Sequence, residues 1–205
     1  MKCEKQNPFR PGYREEDRSG RFAGMAIRVR VATVEDAAAI ARVQVASWQT
    51  TYLGIVPREF LAAMDEGVRE RAWREQLETG HALIFVAEEE AEVAGFDVIG
   101  FIGGGALREA ISGYDSELYA VYLVKKCQGI GVGRVLVREL ARRLRADGFR
   151  GMVVWVLAEN PAVGFYKRLG ARAIAGKMIT IAGVRLAELG LGWDSLDELG
   201  ALSRN

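Results

Sequence analysis

From Ala26 the chain alternates, with Ile27, Val29 and Val31 on one side and Arg28 and Arg30 on the other, which predicts a half-buried strand. Thr33-Val34-Glu35-Asp36 follows, a hydroxyl with an acid three residues on, the pattern of a capping-box helix start. Ile40, Val43 and Ser47 then recur at helical spacing and lead into Trp48 and Tyr52. Pro57 predicts a short helix through Met64, and the stripe Val68, Ala72 and Leu77 predicts another. After Gly80 the pattern turns to strands over residues 81–87 and 98–103, with Glu88-Glu89-Glu90 as an acidic turn between them and Gly103-Gly104-Gly105 ending the second. A third strand over residues 117–124 runs into a glycine-rich turn and a strong helix, in which Val132, Leu136, Leu140 and Leu144 step by four. Residues 151–157 form a continuous apolar run, expected of a strand buried on both faces. Ala162, Phe165, Tyr166 and Leu169 line one side of a further helix, and two last strands near residues 173–181 and 185–191 meet at Ala182-Gly183. This order predicts one α/β domain over residues 25–195, with no internal repeat.

Outside that pattern lie residues 1–24, where Pro8, Pro11, Gly12 and Gly20 interrupt a charged stretch, and residues 196–205; both are expected to be tails. The 205 residues are 50% hydrophobic, enough for one ordinary core. A formal charge of +1 gives no global field for nucleic acid or an acidic membrane surface. Arg138, Arg142 and Arg145 read as a solvated helix face, since no aromatic residues interleave them. The two cysteines, Cys3 and Cys127, are far apart, so a reducing cytoplasm is the expected compartment. A single histidine, His81, cannot anchor a His/Cys zinc site. No apolar run approaches the ~20 residues of a membrane helix, and residues 1–24 contain no apolar signal region. Metal, membrane and nucleic-acid classes therefore recede.

What remains is the order strand, glycine-rich turn, helix. Backbone N–H groups and the positive helix end converge there on an anion, and glycines let the main chain approach it. A Walker loop needs Gly-Lys-Ser/Thr after four intervening residues, which this stretch lacks. A dinucleotide fingerprint needs glycine at position 134, which is arginine. Gln-x-x-Gly-x-Gly does fit, as Gln128, Gly131 and Gly133.

With these residues the chain resembles the GCN5-related N-acetyltransferase (GNAT) superfamily. The strand Glu117-Leu118-Tyr119-Ala120-Val121-Tyr122-Leu123 is similar to the one before the family's loop, and the stretch from Asn160-Pro161 through Phe165-Tyr166 to Gly170 resembles its second cofactor motif. Thr33-x-x-Asp36, Ser47-Trp48, Tyr52-x-Gly54-x-x-Pro57 and Gly192-Trp193 resemble the opening and close of a bacterial branch. Ala171 after Gly170 departs from the pattern, where an aromatic often follows. The resemblance covers residues 27–195 and implies a mixed, twisted sheet of about six or seven strands with helices on both faces, split where a pantetheine arm enters.

Residue by residue, the resemblance implies acetyl-CoA as cosubstrate, without a metal. Backbone groups of Val121, Tyr122 and Leu123 would meet the pantetheine, with the Leu123 N–H polarising the thioester carbonyl. Gln128, Gly129, Ile130, Gly131, Val132, Gly133 and Arg134 would wrap the pyrophosphate, and Asn160 would hydrogen-bond the arm. Tyr166 is the expected acid for the departing thiolate. Glu117 is the expected base, sharing a strand face with Tyr119, Val121 and Leu123. Trp48, Tyr52 and Tyr119 are expected to form the acceptor pocket. The expected activity is acetyl transfer to a primary amine of a small molecule or protein, in a cytoplasmic enzyme and homodimer. A non-catalytic acyl-CoA sensor is the competing class.

Overall fold

The computed structural model describes residues 20–22, 25–91 and 95–200. Among these residues eight strands share one sheet: β1 (Gly20–Phe22), β2 (Met25–Val31), β3 (Leu83–Glu90), β4 (Phe96–Ala106), β5 (Ser116–Leu123), β6 (Met152–Leu157), β7 (Arg172–Ile181) and β8 (Val184–Trp193). Their order is β1-β2-β3-β4-β5-β6-β8-β7, antiparallel throughout except for the parallel pair β5–β6. Six α-helices accompany them among the described residues: α1 (Ala37–Thr51), α2 (Arg58–Ala62), α3 (Glu66–Thr79), α4 (Val132–Ala146), α5 (Ala162–Arg168) and α6 (Leu196–Gly200). The mixed sheet between helical layers matches the expected class, with the three-residue β1 added to seven longer strands.

The layers follow from the two faces of each strand. The predicted stripe of α4 (Val132, Leu136, Leu140, Leu144) is fully buried against Ile27, Val29, Phe85 and Ile102, each such leucine contributing about 1.5–3 kcal/mol. On the other face Ile40 and Val43 of α1 pack with Ile84, Val86 and Phe101. The stripe expected in α3 is corrected: Val68 is 53% exposed and Trp73 is the buried anchor, its Nε1–H donating to Gln44 Oε1 at 2.8 Å.

Three more expectations change. Glu88-Glu89-Glu90 is strand, not turn, because Glu88 is 3% exposed and neutralised by Arg28 and Arg30 across the pair β2–β3, both at 2.6 Å. Arg30 also grips Asp36, whose carboxylate accepts the Thr33 N–H at 2.7 Å, tying the first helix start to the sheet. The triple glycine does not end β4 but lies inside it, since a Cβ on Gly104 would stand 2.7 Å from both the Glu117 carbonyl and Leu140. Residues 196–200, expected as tail, form α6, with Leu196 and Leu199 buried against the α4 core. The tail expected at residues 1–24 lies outside the described residues except at Gly20–Phe22, which pairs with β2.

Two irregularities position everything that follows. Opposite β4, Gly104 pairs with Leu118 and Gly103 with Ala120, so Tyr119 is an extra residue, a β-bulge. The parallel pairing of β5 with β6 stops at Leu118↔Val154, although β5 continues to Leu123 and β6 to Leu157. Beyond that point the sheet splays open.

Candidate functional site

Among the described residues the splay leaves one edge of β5 without a strand partner beyond Leu118. Val124 donates its N–H to Ile99 O at 2.9 Å, toward β4; by alternation Tyr122 also faces β4, and the main-chain groups of Val121 and Leu123 face the opened edge. The Leu123 carbonyl accepts from Ser47 Oγ at 3.0 Å and Gln128 Nε2 at 3.1 Å. The Gln128 side chain thus clamps the loop to the strand end, a role its pyrophosphate assignment did not anticipate. A cleft of about 540 Å³ fills the opening, lined by β5 from Leu118 to Leu123, the glycine loop, Asn160, Tyr166 and the end of α1.

The floor of the cleft is a cradle for an anion. Gly129 and Gly131 hold φ of +78° and +102°, which side chains with a Cβ rarely adopt. They turn the chain into α4, where Arg134 and Val135 donate to the Gly131 carbonyl and the N–H groups of Val132 and Gly133 precede the helix's own bonds. A Cβ on Gly133 would meet the Phe165 ring at 3.2 Å. Main-chain donors, a helix start and the flanking Arg134 and Lys125 therefore converge without side-chain bulk. Ile130 and Val132 instead pack into the α4 core.

Asn160 is buried in the cleft wall; its Oδ1 accepts the Ala162 N–H at 2.8 Å at the start of α5 and its amide also engages the Tyr52 hydroxyl, which leaves one amide N–H for a ligand. Tyr166, on α5, is buried between Phe165 and Trp193, with ring centroids at 5.3 and 5.9 Å. Its hydroxyl has no hydrogen-bond partner among the described residues. Burial, with Tyr52 alongside, raises the phenol well above its usual range, so it stays protonated.

Glu117 stands elsewhere. It is 1% exposed and is absent from the lining of the cleft. Its carboxylate accepts the Arg108 N–H at 3.2 Å and Nε–H at 3.0 Å, and pairs with Nη2 as well. The face expected to join Glu117 with Val121 and Leu123 is also corrected. Leu118, Val121 and Leu123 pack on the α4 side, whereas Ala120 and Tyr122 pack on the α1 side. The extra residue at Tyr119 reverses the alternation, which leaves Glu117 on the α1 side.

Among the expected acceptor residues, Tyr52 and Tyr119 line the cleft and Trp48 does not. Trp48 stacks on Tyr52 at 4.5 Å and donates Nε1–H to the Tyr122 hydroxyl at 2.9 Å, bracing the wall from behind. Tyr119 donates to Ala106 O at 2.5 Å and lies under the Arg108 guanidinium, 4.8 Å from its ring centroid. Three further residues belong to this end: Trp155 on β6, Lys177 on β7 with Nζ 4.0 Å from the Trp155 centroid, and Glu188 on β8. One signal for Glu188 was present in the sequence: a lone acid within the otherwise apolar run from Leu186 to Leu191. Among the described residues no helix is long and apolar enough to cross a membrane, and no group of three or more His, Cys, Asp or Glu is placed to hold a metal ion.

Residues 99–179, from β4 into β7, match the family model described as FR47-like protein. An uncharacterized N-acetyltransferase of Bacillus subtilis (strain 168), YuaI, is 40% identical over 176 residues, 86% of this chain and 98% of that protein. Among solved structures, the PaiA N-acetyltransferase of Thermoplasma acidophilum in complex with coenzyme A superposes with a TM-score of 0.61 at 20% identity, covering 82% of this chain and 98% of its own. YncA of Salmonella typhimurium, solved with its cofactor acetyl-CoA, gives 0.58 at 23% identity, covering 84% and 95%.

Proposed function

The chain belongs to the GCN5-related N-acetyltransferase (GNAT) superfamily, and from that premise we propose that it transfers an acetyl group from acetyl-CoA to a primary amine by direct attack in a ternary complex. The observation that carries this reading is the opened edge of β5 beside the glycine cradle. An extended arm fits the first and a pyrophosphate the second, and these are the two parts of coenzyme A that a protein must hold. The coenzyme A and acetyl-CoA bound to the Thermoplasma and Salmonella proteins support it.

In this reading Val121 and Leu123 pair with the pantetheine as an added strand would. Residues 128–134 surround the pyrophosphate, and the Asn160 amide donates to the arm. The Leu123 N–H stabilises negative charge developing on the thioester oxygen. Bound acetyl-CoA supplies the activated acyl group, and Tyr166 gives its proton to the departing sulfur. Removing that phenol proton in solution needs pH near ~10, whereas a free thiol titrates near ~8.5, so the raised Tyr166 is protonated whenever the thiolate needs it. Tyr52 and Tyr119 form the acceptor wall, with Trp48 bracing it. The amine is a small metabolite or a protein amine. Two cysteines far apart in the sequence favour a reducing compartment such as the cytoplasm, and sedimentation tests the expected homodimer.

The test is thiol release from acetyl-CoA against a panel of primary amines. Tyr166→Phe is expected to lower kcat about 100-fold while acetyl-CoA affinity stays within about twofold. Normal turnover by that variant overturns the acid role. Acetyl-CoA binding without turnover on any amine makes the chain a sensor instead.

A further inference from the structure

We propose that Glu188 of β8, not Glu117, takes the proton from the acceptor amine. The proposal rests on the acetyl-transfer reading and deepens it. A carboxylate that receives a proton needs a free lone pair near the attacked carbon, and the two candidates differ on both counts.

Glu117 fails on availability and on place. Arg108 occupies its carboxylate with three donors, and β5 and β6 are still paired at its level, Glu117↔Val153. The Leu123 N–H, the expected oxyanion donor, lies six residues further along β5, roughly 20 Å of extended strand. Glu188 answers both points. Leu118 pairs with Val154; with Tyr119 taken up by the bulge, three ladder steps on set Tyr122 level with Leu157, and Leu157 is opposite Glu188. Glu188 therefore sits across the splay from Val121–Leu123. Its carboxylate makes no hydrogen bond among the described residues, and its one ion-pair partner, Lys177, is distant at 3.9 Å. At 17% exposure it is largely shielded but can still be reached. It stands outside the lining of the donor cleft, on the side where an amine rather than the donor would arrive.

Its surroundings suit the task. Burial raises the Glu188 pKa, Lys177 of β7 and Arg108 pull it down, and Glu117 of β5 and Glu109 push it up again; the net shift is upward. Tyr52, at the end of α1, is the remaining titratable neighbour and feels the Glu188 charge. In the step, the amine nitrogen forms a bond to the acetyl carbon and loses one proton to Glu188. The carbon–sulfur bond breaks, and the sulfur takes the Tyr166 proton. Solvent then carries the proton from Glu188 back to Tyr166, so both groups are restored.

The experiment compares initial rates of wild type, Glu188→Gln, Glu188→Asp and Glu117→Gln with acetyl-CoA and the best amine, from about pH 6 to 9.5, alongside acetyl-CoA affinity and thermal unfolding. Glu188→Gln is expected to lower kcat/KM for the amine about 100-fold at neutral pH and to lose the acidic limb of the profile. Its deficit narrows as pH approaches the pKa of the amine, and its acetyl-CoA affinity and unfolding midpoint match wild type. Glu188→Asp keeps the limb at a reduced rate, and Glu117→Gln keeps the limb. If Glu188→Gln retains the wild-type limb, or Glu117→Gln is the variant that loses it, the proposal is overturned while acetyl transfer stands. A wild type that binds acetyl-CoA and acetylates no amine overturns both.

Discussion

At the donor end of the cleft the wall is main chain. The open edge of β5, Gly129, Gly131 and the first turn of α4 are one continuous stretch, and a groove made of backbone leaves a spelling behind it. Toward the other end the surroundings are side chain, with Tyr52 and Trp155 in the lining and Arg108, Lys177 and Glu188 beyond it on separate elements. Any one of those residues can change without altering the loop that identifies the donor. The difference explains why a chain of this kind declares its cosubstrate and keeps its acceptor private.

The largest expected effect breaks the donor end alone. Gly131→Val puts a branched side chain at φ +102°, and acetyl-CoA affinity is expected to fall about 100-fold or more by calorimetry, whichever amine is offered, because the cradle no longer closes. An intermediate effect probes the other end. Lys177→Met removes the cation that pulls the Glu188 pKa down. The Glu188 pKa then rises, so the acidic limb of the rate profile moves to higher pH while acetyl-CoA affinity is unchanged. A limb that stays in place would detach Lys177 from the chemistry. The smallest effect is expected for Ser47→Ala. It deletes one of two donors to the Leu123 carbonyl and leaves Gln128 in place, so unfolding stability should drop by about 1 kcal/mol, read by denaturant titration. A much larger loss would mean that the strand end depends on α1 rather than on the loop.

Most of the fold was legible because period and punctuation are local. The alternation at Ile27–Val31, the four-step stripe of α4 and the apolar run of β6 each became the element they predicted. The misreadings share one cause, a partner far along the chain. Glu88 reads as turn until Arg28 and Arg30, some sixty residues earlier, neutralise it inside the sheet. Gly104 reads as a strand terminator until Leu140 and the Glu117 carbonyl occupy the space a Cβ would need. Leu196 and Leu199 read as tail until α4 offers them a surface. The candidate site divides in the same way. Asn160, Tyr166 and the glycines carry spacing that names a groove, and all line it. Glu117 had suitable spacing, but Arg108 and the bulge at Tyr119, which decide what its carboxylate faces, have no signature that a spacing rule detects.

That bulge gives the strand a parity. One residue without a partner at Tyr119 sets which layer each later side chain enters. Pairing Tyr119 in a regular ladder would send Ala120 and Tyr122 toward α4, and Val121 and Leu123 toward α1, while turning the Val121 and Leu123 main-chain groups away from the groove. Loss of Tyr119 alone keeps every later side chain in its layer, whereas a residue added between Ala120 and Leu123 shifts the chain after it by one place. An insertion of a single codon beyond the bulge would rewrite the interior and the groove in one stroke, although every original residue kept its identity.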